Sequence, residues 1–240
     1  MLTAQNAAAD RPSQPRDLRS FRYFDTLLSI FIVVLLISNL VGQKICAIGW
    51  FRISGAQLLF PITYIFGDVF TEVYGYGASR RAIWLGFFAS ALMAVMGIIV
   101  VALPPAPDWP NQRAFATVFD FVPRLVVASL IAYWAGEFAN SYTMAKMKIL
   151  TGGRYLWTRT VGSTVVGQAV DSAVVMIIGF GFTQSWSTIL KLVVSAYLGK
   201  VAYEVLMTPA TYAVVGWLKR KEGVDTFDYE TEFSPFHIAR

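Results

Sequence analysis

The chain has 240 residues, 56% of them hydrophobic and only 15% charged, with a mean hydropathy of +0.54 and a formal net charge of +5. This composition excludes an ordinary water-soluble domain and predicts an all-α, polytopic membrane protein. The single cysteine, Cys46, excludes an intrachain disulfide and a thiolate metal cluster, and no metal site or cofactor is expected.

In chain order, residues 1–22 carry Arg11, Arg16, Arg19 and Arg22 among polar residues, with no short apolar core and small-residue cleavage site behind them. They read as a disordered cytoplasmic tail. Apolar runs follow at 23–41, 58–73, 83–103, 122–139, 160–182 and 189–217, most of them close to the roughly 20 residues that cross a bilayer. The expectation is a bundle of six transmembrane helices over 23–218 and a cytoplasmic C-terminal tail over 219–240. Pro61 and Gly67 interrupt the second run, which neighbouring helices can tolerate by satisfying its backbone. Of the basic residues, fourteen fall in the N-tail, the Arg80/Arg81 turn, the 146–159 connection and the C-tail, whereas the opposite connections hold only Lys44, Arg52 and Arg113. The positive-inside rule therefore places both termini in the cytoplasm, and the net charge is topological, with no nucleic-acid partner implied.

The informative residues are charges inside the apolar runs, because an isolated charge at a helix centre costs roughly 2.5–3.5 kcal/mol even on the lenient insertion scale. Asp171 lies roughly 16 Å along the fifth span, with Gln168 on the same face. Lys200 and Glu204, four apart in the sixth span, share a helix side and can pair locally. Asn39 and Gln43 of the first span complete this group. Asn39, Gln43, Gln168, Asp171, Lys200 and Glu204 are thus the candidate substrate-binding residues. A second set, Asp68, Glu72, Arg80, Glu137, Arg154 and Arg159, reads as a gate or brace nearer the cytoplasm. Trp50, Trp109, Trp186 and Trp217 fall at interfaces as anchors. Phe60, Tyr64, Tyr74, Trp84, Trp157 and Tyr203 lie closer to the polar groups, where a flat ligand could stack. Ser163 and Gly167 permit close helix approach.

Several chemistries lack their parts. The only histidine, His237, is in the C-tail, which removes a Ser/His hydrolase, a His-based zinc site and an imidazole-ligated haem from the bilayer. Neither G-x-x-x-x-G-K-[ST] nor G-x-G-x-x-G occurs, so the chain encodes no ATPase. An enzyme is not expected.

Phe60-Pro-Ile-Thr-Tyr64, Asp68-Val-Phe-Thr-Glu-Val-Tyr-Gly75, Arg80, Asn140 through Lys146, Gly153-Arg154, Trp157, Arg159, Gly162-Ser163, Gly167-Gln168, Asp171-Ser172, Lys200, Tyr203-Glu204 and Thr208-Pro209 form one specific combined pattern. From about Ser38 to Asp228 it resembles the queuosine-precursor transporter family, also grouped as vitamin uptake transporters. Val175 departs from it, standing where an aromatic often follows the Asp-Ser pair. The resemblance implies an inner-membrane importer of 7-deazaguanine compounds, 7-cyano-7-deazaguanine and its 7-aminomethyl relative. A guanine-like ring offers two parallel N–H donors that a carboxylate, Asp171 or Glu204, can accept together. The family also resembles the six-helix binding subunits of energy-coupling-factor importers, which work with ATPase and scaffold partners. No clear Ala-x-x-x-Ala stripe marks the first or third span, so a self-sufficient carrier is expected, with the ATP-driven subunit as one alternative and a non-transporting scaffold of structural ion pairs as another. The implied partners are the small deazapurine and membrane lipid, and a homodimer is compatible with the sequence.

Overall fold

The computed structural model describes residues 21–42, 44–48, 51–119, 123–180 and 186–237. Its helices are α1 (Phe24–Val41), α2 (Phe60–Tyr74), α3 (Tyr76–Ala102), α4 (Gln112–Phe119), α5 (Pro123–Leu150), α6 (Leu156–Phe180) and α7 (Trp186–Glu222). Between α1 and α2 lie an antiparallel hairpin, β1 (Ile45–Ile48) with β2 (Phe51–Ser54), and a 3-10 turn at Gly55–Leu58. No strand was expected there from the sequence; Cys46 pairs with Ile53 in it and is a free thiol.

Among the described residues, four stretches are long and apolar enough to cross a membrane: Phe24–Val41, Tyr76–Ala102, Gln112–Leu150 and Leu156–Gly179. Large apolar side chains such as Val33, Phe88, Leu92, Leu198 and Leu206 point outward, which suits a hydrocarbon surround and would be costly in water. The protein is an all-α membrane protein. At 15 residues, α2 is shorter than a full crossing, while the 37 residues of α7 carry Lys191, Lys200 and Glu204 among apolar neighbours.

Helix ends differ from the sequence boundaries in ways that move functional residues. Gly75 has φ +88, a left-handed conformation that glycine adopts without strain, and a Cβ there would meet Thr226 Cγ2 at 2.8 Å. The chain therefore turns at Gly75 and starts α3 at Tyr76, so Arg80 and Arg81 sit on a helix and not in a turn. Likewise α5 continues eleven residues past the expected end at 139, which makes Glu137 a mid-helix residue. The apolar run stops at Ala139 because the helix becomes polar there, not because it ends.

An aromatic ladder fixes α1 on α2. Phe24 packs edge-on against Phe70 and Tyr74 at 5.6 and 5.3 Å, and Phe31 against Phe70 at 5.6 Å. Such pairs contribute about 0.5–1.5 kcal/mol each beyond the area they bury. Tyr74 closes the end of this stack by donating its hydroxyl to Glu222 at 2.9 Å.

After α7 the chain folds back over the same end of the bundle. Asp228 accepts the Tyr76 backbone N–H with both oxygens, at 3.2 and 3.1 Å, at the first residue of α3. Arg80 donates to the carbonyls of Glu232 and Ser234 at 3.0 and 2.9 Å, and Trp84 Nε1 to that of Pro235 at 2.8 Å. Phe233 lies against Tyr76 and under the Lys146 ammonium.

Burial raises the Asp228 carboxyl above its ordinary 3.8, against the opposing hydrogen bonds from Thr231 and the Tyr76 N–H. The fold thus prefers this group protonated: its contribution is fully present below about 3.8 and is lost as pH rises through the higher folded-state value. Asp228→Asn, neutral at every pH, is expected to raise the melting temperature of the detergent-solubilised protein at pH 7–8 and to leave it unchanged near pH 3. Thermal unfolding scans across that range check the sign.

Candidate functional site

Glycines bring α5 and α6 into close backbone contact. A Cβ on Gly167 of α6 would lie 2.7 Å from Asn140 Cβ and 2.9 Å from the Gly136 carbonyl of α5, and a Cβ on Gly136 would meet Asp171 Cβ at 2.8 Å. With no side chains between them the two backbones come close enough to juxtapose Glu137 and Asn140 with Gln168 and Asp171. The helix approach expected at Ser163 and Gly167 is realised at Gly167, whose partner on α5 was not foreseen.

Against this α5–α6 pair α2 presents Tyr64, Gly67 and Asp68. Together Tyr64, Gly67, Asp68, Gly136, Glu137, Asn140, Thr164 and Gln168 line a small cleft whose free space, about 10 Å³, is that of a single water molecule. The bare Cα of Gly67 makes room for Glu137, whose Oε2 lies 3.4 Å from where a Cβ would stand. Within the lining, Asp68 Oδ2, Asn140 Oδ1 and Gln168 Oε1 are buried and receive no hydrogen bond.

Behind Asp68 stands Glu204 of α7. Asp68 and Glu204 are each 1% exposed, their carboxyl groups interact directly, and neither oxygen of Glu204 has a donor. The local pairing expected between Lys200 and Glu204 does not form. Lys200 instead reaches across to α6 and bonds Asp171 Oδ2, with both side chains about one-quarter exposed. A lysine stem can swing toward either carboxylate, and the more exposed one demands less desolvation of the ammonium.

The remaining candidate residues separate from this centre. Asn39 donates to Ser90 Oγ at 3.4 Å and stitches α1 to α3, and α1 packs on α2 and α3, so Asn39 does not complete the central group as expected and α2 takes the place of the first span there. Gln43 lies outside the described residues, as does Trp50. Arg80 belongs to the C-terminal contacts already described. Arg154 is exposed and contributes its carbonyl, which accepts from Arg159 Nη1 at 2.8 Å.

Glu72, one helical turn beyond Asp68, is the hub of a separate brace. Arg159 grips its two oxygens with Nε at 2.6 Å and Nη2 at 2.7 Å, and Lys219 reaches Oε1 at 2.5 Å. Lys148, almost completely buried, donates to the Glu72 carbonyl at 2.6 Å, to Asp225 at 2.5 Å and to the Thr226 carbonyl at 2.7 Å. Three cations and two carboxylates thus tie α2, α5, α6, α7 and the C-terminal segment together. Burial would raise the Asp225 carboxyl, but hydrogen bonds from Lys148 and Lys219 outweigh it and hold the group below its ordinary 3.8.

The expected gate-or-brace set therefore divides. Glu72 and Arg159 form the brace, whereas Asp68 and Glu137 join the central group with Gln168, Asp171, Lys200 and Glu204. Sequence reasoning placed Asn140 in the family pattern without a role and did not single out Thr164. The i, i+3 spacing of Glu137 and Asn140, and the i, i+4 spacing of Tyr64 and Asp68, mark the cavity faces.

The sequence pattern of the family described as "Putative vitamin uptake transporter" matches residues 54–214. The chain belongs to this family. It is a family of transporters, not of enzymes. The chain is 29% identical over 158 residues to a Bacillus subtilis (strain 168) protein named "Probable queuosine precursor transporter", covering 65% of this chain and 69% of that protein. It is 24% identical over 154 residues to the "Queuosine precursor transporter" of Escherichia coli (strain K12), covering 64% and 67%. No solved structure matches. The match spans α2 through most of α7, and so includes every residue of the cavity and, of the brace, Glu72, Lys148 and Arg159.

Two substitutions test the close approach. Gly167→Ala should cost about 1–3 kcal/mol through overpacking against Asn140 and lower the melting temperature. Gly199→Ala, where a Cβ meets nothing within 4 Å, should stabilise α7 by up to about 1 kcal/mol through helix propensity alone. In the brace, Glu72→Gln leaves Arg159 and Lys148 buried without their shared carboxylate and should cost about 3–5 kcal/mol. Thermal unfolding in detergent reads all three.

Proposed function

We propose that this chain imports queuosine precursors, 7-cyano-7-deazaguanine and 7-aminomethyl-7-deazaguanine, across the cytoplasmic membrane as a self-sufficient carrier with six spans and both termini inside. Membership of the family and the names of two relatives support the cargo class. The basic residues concentrated in alternate connections support the orientation.

The observation that carries the site assignment is the character of the cavity lining. Asn140 Oδ1 and Gln168 Oε1 are acceptors with no donor, and Glu137 lines the same cleft from α5. An occupant that satisfies them must bring N–H groups. The guanine-like edge does so, with its ring N–H and 2-amino group parallel and spaced for one carboxylate. In this reading Glu137 accepts that pair, Asn140 Oδ1 and Gln168 Oε1 accept from the remaining donors, the second 2-amino hydrogen and the N–H of the five-membered ring, and Tyr64 flanks the ring. Asp171, already bonded to Lys200, is not among the residues that line the cleft and no longer competes for the role of acceptor.

Purified protein reconstituted alone in liposomes should take up radiolabelled 7-cyano-7-deazaguanine. Glu137→Gln should weaken binding by roughly 30- to 150-fold, the equivalent of about 2–3 kcal/mol for a lost charge-assisted pair. Uptake that appears only with added ATPase and scaffold proteins would replace the carrier by a binding subunit, and the absence of any binding would overturn the cargo assignment.

A further inference from the structure

Asp68 and Glu204 remain outside the cargo contacts and the ion pairs just described. We infer that they form the coupling site of the carrier, a carboxyl pair that holds one proton between α2 and α7; this rests on the transport reading above.

The argument begins with donors and acceptors. An ionised carboxylate only accepts, so two of them in contact bring acceptors to acceptors. Glu204 has no donor on either oxygen and Asp68 none on Oδ2, although both residues are 1% exposed and hydrogen-bond satisfaction is nearly universal at such depth. Asn140 supports Asp68 from α5 but supplies nothing to Glu204. One hydrogen placed between the two carboxyls converts the contact into an O–H···O bond of the strong, charge-assisted kind.

The surrounding charges leave this opening. From α2 the pair faces Tyr64 and Glu72 and from α5 Glu137 and Asn140, with Gln168 of α6 lining the same cleft as Asp68; Asp171 of α6 and Lys200 and Tyr203 of α7 stand one step further out, against Glu137 and Tyr64. Among these Lys200 is the cation, and it is bonded to Asp171. Arg159, Lys148 and Lys219 are close along α2 but are bound by Glu72 and Asp225. The remaining neighbours are acidic or neutral. Exchange of a proton at this pair therefore changes a net charge in the middle of the bundle without breaking the brace.

The pair also bridges two helices that can part. Pro209 lies inside α7 and lacks the N–H that would bond the Val205 carbonyl, next to Glu204, while Thr208 Oγ1 donates to the Glu204 carbonyl at 2.9 Å. A helix weakened at that point can bend beside the carboxyl it carries. With the proton present α2 and α7 are held together; without it two carboxylates repel. Binding of a proton from one side and its loss to the other would then accompany each cargo molecule, with no other atom exchanged.

The test uses proteoliposomes of the full chain, radiolabelled 7-cyano-7-deazaguanine, a clamped membrane voltage and a pH dye trapped inside. An outside-acid difference of one pH unit should drive accumulation up to about tenfold at one proton per cargo, since one unit corresponds to about 1.4 kcal/mol. Cargo added outside should acidify the lumen. Asp68→Asn and Glu204→Gln should each abolish the gradient-driven accumulation and make the remaining exchange of labelled for unlabelled cargo independent of pH. Exchange by the unaltered protein that ignores the pH gradient, or accumulation driven by a sodium gradient in its place, would overturn the proton site and leave the cargo assignment standing. Absence of both uptake and binding would overturn both.

Discussion

The distribution of a few cations among the carboxylates decides what the bundle can do, and the bond from Lys200 to Asp171 is the decisive allocation. Had Lys200 satisfied Glu204 one turn away on its own helix, the interior would hold a neutral local pair and a bare Asp171 at the edge. Reaching across to α6 instead, it ties α7 to α6 and leaves the deeper carboxyls of Asp68 and Glu204 to each other. A charge buried at this depth costs several kcal/mol unless compensated, so the arrangement persists only if something else is supplied there. The acceptor-rich cavity beside the pair has the same property. Both sites are defined by what they need from an occupant.

One end of the molecule is built on the opposite rule. Around Glu72 each of Arg159, Lys148 and Lys219 has a carboxylate, and Lys148 has two backbone carbonyls as well. Full satisfaction makes this end rigid, and the C-terminal segment adds to it by giving Arg80, Trp84 and Lys148 backbone acceptors. Asp68 and Glu72 lie four residues apart on one face of α2, yet one is in a saturated network and the other in an unsaturated one. The short helix thus carries the boundary between the fixed end and the responsive middle.

Much of this was legible in the sequence. Apolar runs located the helices because hydrophobicity is a property of each residue, and acidic residues within those runs named Asp68, Glu137, Asp171 and Glu204 before any contact was known. What the sequence could not resolve was partnership. Spacing of four along a helix made Lys200 and Glu204 equally good neighbours on paper, and only the α6–α7 approach gave Asp171 the advantage. Polarity after Ala139 looked like a helix end, though α5 continues to Leu150, so Glu137 was placed too near a terminus. Asn39 had the right depth but the wrong face, since α1 packs on α2 and α3. The glycine contact between α5 and α6 was half visible: Gly167 stood out, whereas Gly136 gained its meaning only from the residues opposite.

That glycine contact links the two kinds of site. Gly136 and Gly167 set the α5–α6 distance by backbone contact, which fixes the positions of Glu137, Asn140, Gln168 and Asp171 relative to one another whatever the rest of the bundle does. Against this pair, α2 and α7 contribute Asp68 and Glu204 and meet each other through them. A carrier needs a site that keeps its shape while access to it changes. Here the part proposed to recognise cargo sits mainly on the two helices locked by glycines, and the part that would respond to a proton sits on the pair that includes a proline-weakened helix. The separation follows from packing: close backbone contact leaves no slack, and a missing N–H in α7 leaves some.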